Sequence, residues 1–519
     1  MALPRFFDRV THSIISAAGP VDCASIAAHL QDKSVRIVAP DWIADVEGHR
    51  EGFLVACNLL ARTYPALIVD AAEPIRKIAI ETILAINPAC DLLGSDVRPD
   101  ATLTWGAGPV SASEVCVSAV GWNVLLDDAV PAAPGACSSL AAMASAALGV
   151  REIFRTVLGD LTGDSRSGGT ALGWNLITLR EPEDGIPPLV RGVGFGELML
   201  VGCGAIGQSF VAAMGASNSR GRLVAIDPED VELSNLQRYV LTTNGDVGEA
   251  KTSLVARAFQ GTEIEVVQER RAWSLDDDQS PACLVCALDT VTDRIGCQGS
   301  LPKTIYNAYT GDQDLGWTRH ERFGEEACLA CIYWPSQREA SWTDQVARSL
   351  GMEGDGKRIA LYKVSRITIG EPLPPAILGS NGVEAELAAK WGQNSLVDDL
   401  AAIFDLSEQV KSEWSGKDID AVYSEGLCGG RLVAVLERGK NELLLVPLAH
   451  ESVLAGVMLA ASVLAAFHPE LRDVRHPDTK GAVRLNGNPG LPYTSAPARL
   501  DQCICSDPAF RGHYHELWP

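Results

Sequence analysis

The chain has 519 residues, enough for about three domains, and 47% of them are hydrophobic, ample for globular cores. A formal net charge of -23 argues against nucleic acid or an anionic membrane as the main partner, because phosphate would be repelled. The 14 cysteines come without an apolar export segment at the start, so the expected compartment is the cytoplasm, and the thiols are read as reduced groups, metal ligands or a nucleophile.

In chain order, residues 1–188 are expected to form a domain of their own. Residues 35–38 and 66–70 read as short buried strands, and 53–60 and 75–86 as helices. Residues 115–120 and 122–126 are further strands around Gly121. An alanine-rich helix is predicted over 134–158, with Gly159 as its stop. Alternating strands and helices imply α/β layering. The segment has no glycine-rich turn and no cluster of catalytic groups, so it reads as structural. A stretch rich in Pro and acid, 179–190, is the expected linker.

The next stretch organises the rest. A buried strand over 198–201 runs into a turn with Gly202, Gly204 and Gly207, a helix of small residues follows, and a second strand over 223–226 ends at Asp227. A βαβ unit with an acid about twenty residues past the glycines is the context a nucleotide fingerprint requires. Just beyond stand Ser234-Asn235-Leu236-Gln237-Arg238 and Val247-Gly248-Glu249-Ala250-Lys251. Two cations there suit a triphosphate and a departing pyrophosphate. A nicotinamide-dependent oxidoreductase on the same fold would leave them without purpose.

Those runs resemble the ubiquitin-activating superfamily (ThiF, MoeB and HesA types), with both elements at the family's spacing. The resemblance implies a Rossmann-like, ThiF-type α/β adenylation fold. It implies an ATP site in which Asp227 holds the ribose and Asn235, Arg238 and Lys251 hold phosphates. It also casts residues 1–188 as an inactive, degenerate adenylation domain preceding the active one, whose first part is 189–335. Arg5-Phe6-Phe7-Asp8-Arg9 resembles the family's N-terminal arginine segment, one residue longer than usual, which would make Arg9 a phosphate ligand, in cis or from a second copy in a homodimer; a solvated helix is the alternative.

Beyond Lys251, strands are expected over 263–267, 282–289 and 305–308. Asp289 ends the second of these, where the carboxyl ends of parallel strands line a ligand crevice, so it is a candidate for Mg²⁺. The competing reading has Asp289 capping the helix that follows. Cys328 and Cys331 form a CxxC, and Cys503 and Cys505 a second close pair; alone, the first pair is equally a redox motif or a coincidence. Two such pairs around a long insertion resemble the superfamily's structural Zn²⁺ site, with CxC in place of its second CxxC.

Residues 336–428 are expected to form a small helical insertion ending at Cys428, with helices over 341–350 and 397–414. Strands over 431–436 and 442–446 open the last part of the active domain, 429–519. Cys428 sits in a glycine-flanked turn, and by position resembles the transfer cysteine of ubiquitin-activating enzymes, a thiolate able to accept an acyl group from an acyl-adenylate. The apolar helix predicted over 453–467 is too short to span a bilayer and reads as core. The expected function is therefore ATP-dependent activation of a ubiquitin-like protein's C-terminal glycine, thioester formation on Cys428 and hand-over to a conjugating enzyme, in a bacterial pathway of the kind that serves antiphage defence. The rival is adenylation of a sulfur-carrier protein without a thioester.

Overall fold

The computed structural model describes residues 23–182, 192–273, 280–311, 313–333, 447–484, 487 and 489–519. One compact unit spans Met1–Trp334 together with Leu445–Pro519, and a second spans Pro335–Leu444. The N-terminal segment with Arg9, most of the expected linker, and the insertion with its helices, its following strands and Cys428 lie outside the described residues.

Among the described residues of the first unit, seven strands form one sheet and eight a second. The seven are β1 (Ser34–Val38), β2 (Ala66–Asp70), β3 (Asp91–Leu92), β4 (Ala101–Trp105), β5 (Glu114–Val120), β6 (Asn123–Leu126) and β7 (Leu172–Asn175). The second sheet has eight: β8 (Gly194–Val201), β9 (Arg220–Ile226), β10 (Glu263–Glu269), β11 (Cys283–Cys286), β12 (Thr304–Thr310), β13 (Asp314–His320), β14 (Lys480–Arg484) and β15 (Tyr493–Ser495). The spatial orders are 3-2-1-4-5-6-7 and 10-9-8-11-12-13-14-15. Counted from its own first strand, the second sheet repeats the order of the first and adds one edge strand. The pairing repeats as well. In each sheet the first five strands in this order are parallel, and those that follow are antiparallel. Parallel strands covered on both faces need continuous apolar runs, and Leu198–Val201 and Leu223–Ile226 supply them, each residue at most 5% exposed.

Each half also has one long helix in the same place. Ser139–Thr162 lies between β6 and β7, and Ala449–Phe467 between β13 and β14. The two helices pack on each other, and each packs on the α-helix that follows the first strand of its own half, His49–Ala61 or Ala205–Ala216. Small residues set the approach. A Cβ on Gly52 would lie 2.7 Å from the Ala142 carbonyl oxygen, and one on Gly456 would lie 2.4 Å from Ser209 Cβ.

Three expectations are corrected. The alanine-rich helix starts at Ser139 with Ser138 as its cap, passes through Gly159 and stops at Gly163, whose φ is +70°. Gly159 is not a stop: a Cβ there would lie 2.3 Å from Ser165 Cα, so the glycine serves close packing. The late apolar helix begins at Ala449, and its 19 residues are long and apolar enough to cross a membrane. Burial among its neighbours, not shortness, makes it a core helix. The strand expected over 282–289 is shorter, Cys283–Cys286, with the Ala287 N–H still donating to the Val201 carbonyl at 2.9 Å and residues 288–289 beyond the sheet pairing. Replacing Gly456 with alanine is expected to lower the unfolding free energy by about 1–3 kcal/mol through overpacking, read from urea denaturation at unchanged m-value.

Candidate functional site

The order of the second sheet reverses between β8 and β11, and a doubly wound sheet opens its crevice at that point. The glycine turn fills the near side. Gly202 has a φ of +94°, and a Cβ on it would lie 2.6 Å from the Ala287 carbonyl oxygen. A Cβ on Gly207 would lie 2.2 Å from the Gly202 carbonyl oxygen, so the first turn of helix Ala205–Ala216 rests directly on the strand end. Three strand ends and a helix N-terminus therefore meet, with the positive end of the helix and its unpaired N–H groups toward the crevice.

Asp227 locks this junction. Its Oδ2 accepts from the Cys203 N–H at 2.7 Å and its Oδ1 from the Glu229 N–H at 2.9 Å. Burial raises its pKa, with Lys251 and the two N–H groups pulling the other way. The backbone then runs antiparallel past itself. The Val231 N–H donates to the Glu249 carbonyl, the Gly248 N–H to the Val231 carbonyl and the Lys251 N–H to the Glu229 carbonyl. This short ladder delivers Lys251, 3% exposed, to the first position of helix Lys251–Ala258.

Lys251 Nζ donates to the Glu229 carboxylate and, at 3.2 Å, to the Tyr239 hydroxyl. Burial works against its charge, but Tyr239, Glu229 and Asp227 outweigh it and push its pKa above the ordinary lysine value. The Glu229 side chain is 64% exposed, so it can swing into water and release the ammonium to an arriving anion. Tyr239 forms the roof of the turn, its hydroxyl 3.3 Å from where a Gly204 Cβ would stand. The sequence reading missed both Tyr239 and Glu229; only their nearness to Arg238 and Asp227 could have flagged them.

Asn235 belongs to the 3-10 turn Leu233–Gln237, where its Oδ1 accepts from the Glu232 N–H at 3.0 Å. With that oxygen engaged, its Nδ2 hydrogens are the part suited to an anion. Arg238, half-buried, caps the same turn and precedes Tyr239. Across the crevice, Asp289 is exposed. It does not cap helix Val291–Gly299: that role falls to Thr290, whose hydroxyl accepts from the Asp293 N–H at 3.1 Å. An exposed carboxylate at a strand's carboxyl end, not engaged in the cap, suits Mg²⁺. Behind it, buried Arg294 donates to Asn307 Oδ1 at 2.8 Å, the Ala308 carbonyl at 3.0 Å, the Leu288 carbonyl and the Tyr333 hydroxyl, fixing the segment that carries Asp289.

The two cysteine pairs meet in one buried cluster with Leu301, Phe323 and Tyr514, next to the segment that leads into β12. All four are buried, with their sulfurs within 4.8 Å of one another. Cys328 Sγ lies 3.9 Å from Cys331 Sγ and 3.4 Å from Cys503 Sγ, and Cys331 Sγ 3.3 Å from Cys505 Sγ. Four thiolates around tetrahedral zinc stand about 3.8 Å apart. The CxC spacing therefore delivers both of its sulfurs, and the set fits Zn²⁺. A site away from the crevice is structural.

Contacts through Cys203, Glu229 and Tyr239 thus tie Gly202, Gly204, Gly207, Asp227 and Lys251 together, with Asn235 and Arg238 on the adjoining turn and Asp289 on the segment after β11, and the four cysteines gather at another place. Arg9 and Cys428 lie outside the described residues.

Residues 194–295 match the ThiF family, from β8 to within the helix that follows Thr290. Uncharacterized protein y4jF of Sinorhizobium fredii is 29% identical over 547 residues, covering 100% of this chain and 98% of that protein. Ubiquitin-activating enzyme E1 2 of Arabidopsis thaliana is 33% identical over 112 residues, 19% of this chain, and the match spans 10% of that enzyme. Among solved structures, E. coli MccB with ATP has 13% identity and a TM-score of 0.33, covering 60% of this chain and 67% of that one. The chain thus carries a match to the ThiF family over residues 194–295, the stretch that holds the glycine turn, Asp227, Lys251 and Asp289. Purified protein is expected to hold about one zinc per chain by elemental analysis. Cys505→Ser should reduce that content and lower the thermal midpoint, while the chelator-stripped protein should melt earlier than the untreated one.

Proposed function

We propose that this enzyme adenylates the C-terminal glycine of a ubiquitin-like protein with ATP, takes the acyl group onto Cys428 as a thioester and passes it to a conjugating enzyme. The observation that carries the first step is the convergence of a buried, releasable Lys251, the helix N-terminus after Gly204 and exposed Asp289 on one crevice. In this reading Asp227 takes the ribose hydroxyls, adding them to the two N–H bonds it already accepts. Asn235, Arg238 and Lys251 take phosphate oxygens, and Arg9 adds a further cation. Asp289 would hold Mg²⁺, which neutralises charge on the phosphates when bound.

The partner's carboxylate oxygen attacks the α-phosphorus, the bond from that phosphorus to the β-phosphate bridging oxygen breaks, and pyrophosphate leaves with the electron pair. Attacking and attacked groups are both anionic, so catalysis consists of holding them together and stabilising the charge. The product is a mixed anhydride of acyl group and AMP. The Cys428 thiolate then attacks its carbonyl carbon, AMP departs, and the resulting thioester is exchanged onto the conjugating enzyme's thiolate.

The first half of the unit supports the reading of residues 1–188 as an inactive adenylation domain. It repeats the strand order and places Asp70 at the end of β2, the position that precedes Asp227 after β9. Where the second half has its glycine turn, however, it has Pro40-Asp41-Trp42. The Trp42 ring stands 3.0 Å from a Cβ built on Gly106 and edge-on to His49, over the end of β4. An indole there takes the space a phosphate would need. We place the enzyme in the cytoplasm, in a bacterial ubiquitin-like conjugation pathway with antiphage defence as its setting.

Pyrophosphate exchange into ATP, dependent on the carrier protein of a neighbouring gene, tests adenylation. Arg238→Ala and Lys251→Met should each slow it by about 100-fold or more. Cys428→Ala should retain exchange and lose a thiol-sensitive adduct with the carrier in mass spectrometry. An adduct that survives in Cys428→Ala, or exchange that needs no carrier, would sink the conjugation reading.

A further inference from the structure

Arg62 closes helix His49–Ala61 in the first half, yet it serves the second. Its guanidinium is 0% exposed and donates to the carbonyls of Leu236, Thr242 (2.9 Å) and Val240 (3.3 Å), and to Asn58 Oδ1 (2.8 Å). Asn58, one turn earlier on the same helix, donates to the Val240 carbonyl at 3.0 Å. These partners are neutral oxygens, and burial lowers the Arg62 pKa to about 9. A charge buried against carbonyls is costly, and an apolar side chain of equal volume would ordinarily be no worse for stability. What a hydrophobe would lack is the fork that draws three carbonyls of one loop to a single point.

That loop carries Arg238 and Tyr239. Its other side is tied to the glycine turn by Gln208, whose Oε1 accepts from the Leu241 N–H at 3.1 Å and the Thr242 hydroxyl at 3.0 Å, while its Nε2 donates to the Cys203 carbonyl at 3.4 Å. The loop is therefore stretched between two anchors, one on the crevice and one on the half without a glycine turn. We infer that Arg62 is a positioning residue: it sets where Arg238 and Tyr239 stand relative to the glycine turn. The Trp42-bearing half thus supplies part of the framework of its neighbour's site. This rests on the adenylation reading for its consequence, not for its geometry.

The test uses the full chain in three variants, Arg62→Met, Arg62→Lys and Asn58→Ala, with Arg166→Lys as a control. Arg166 is equally buried in the first half but donates to Asp127 and the Ser111 and Glu114 carbonyls, away from the loop. Affinity for a non-hydrolysable ATP analogue, thermal midpoint and hydrogen exchange of residues 236–242 are measured together. Arg62→Met and Arg62→Lys should weaken nucleotide binding about tenfold, lysine rescuing little because a point charge cannot span three carbonyls. Both should lose protection at 236–242 while helix Ala449–Phe467 stays protected. Asn58→Ala should show the same pattern about two- to fivefold, and carries the test if the Arg62 variants fail to fold. Arg166→Lys should lower the midpoint and leave affinity within about twofold. Arg62 variants that lower the midpoint but leave both affinity and loop protection unchanged overturn the inference. If the unaltered protein binds no nucleotide, the adenylation reading fails, and loop protection alone decides the positioning role.

Discussion

The crevice exists because three pieces of backbone come closer than a methyl group would allow. Gly202 lies against Ala287, Gly207 against Gly202, and Asp227 stitches the pair to the end of β9 through the Cys203 N–H. Steric exclusion and a short charge-assisted hydrogen bond thereby fix the helix N-terminus, the Asp227 carboxylate and the segment leading to Asp289 in one frame. Electrostatics then follow from burial. Lys251 keeps its charge inside the protein through Glu229 and Tyr239, and of these Glu229 faces water. Such a cation is held ready without being locked.

Two halves with one strand order, joined through a pair of long buried helices, make the unit a repeat within a single chain. The repeat is unequal. One half has a glycine turn and a cleft; the other has an indole in the corresponding place and sends Arg62 and Asn58 across. A crevice on the second half is thus built partly from residues about 180 positions away, since Arg62 and Thr242 are 180 apart.

Local patterns were legible where the physics is local. Apolar runs announced β2, β8 and β9, because parallel strands buried on both faces leave no alternation to confuse the reading, while β1 carries Arg36 within it. Gly202 to Gly207 with Asp227 declared the turn, and the cysteine pairs declared a sulfur cluster. Gly159 misled because a glycine that admits a neighbouring backbone looks the same in sequence as one that ends a helix. The start of Ala449–Phe467 was missed because His450 and Glu451 read as polar flank, whereas His450 is buried and half-buried Glu451 accepts from the Leu448 N–H. Tyr239 over Gly204, Thr290 as the cap in place of Asp289, and Arg62 on the 236–242 carbonyls depend on tertiary contact and leave no periodic trace.

The four sulfurs have a topological consequence. Cys328 and Cys503 are 175 residues apart, and the stretch between them contains the whole of Pro335–Leu444. With Zn²⁺ on the cluster, it and the pairing of β13 to β14 would make that stretch a tethered loop with its two roots held side by side. Loop-closure entropy rises only logarithmically with length, so material can be added or exchanged inside the tether at little cost to the sheet. With Zn²⁺ bound, a chain cut within it would hold its two pieces together through metal–thiolate bonds and through strand pairing.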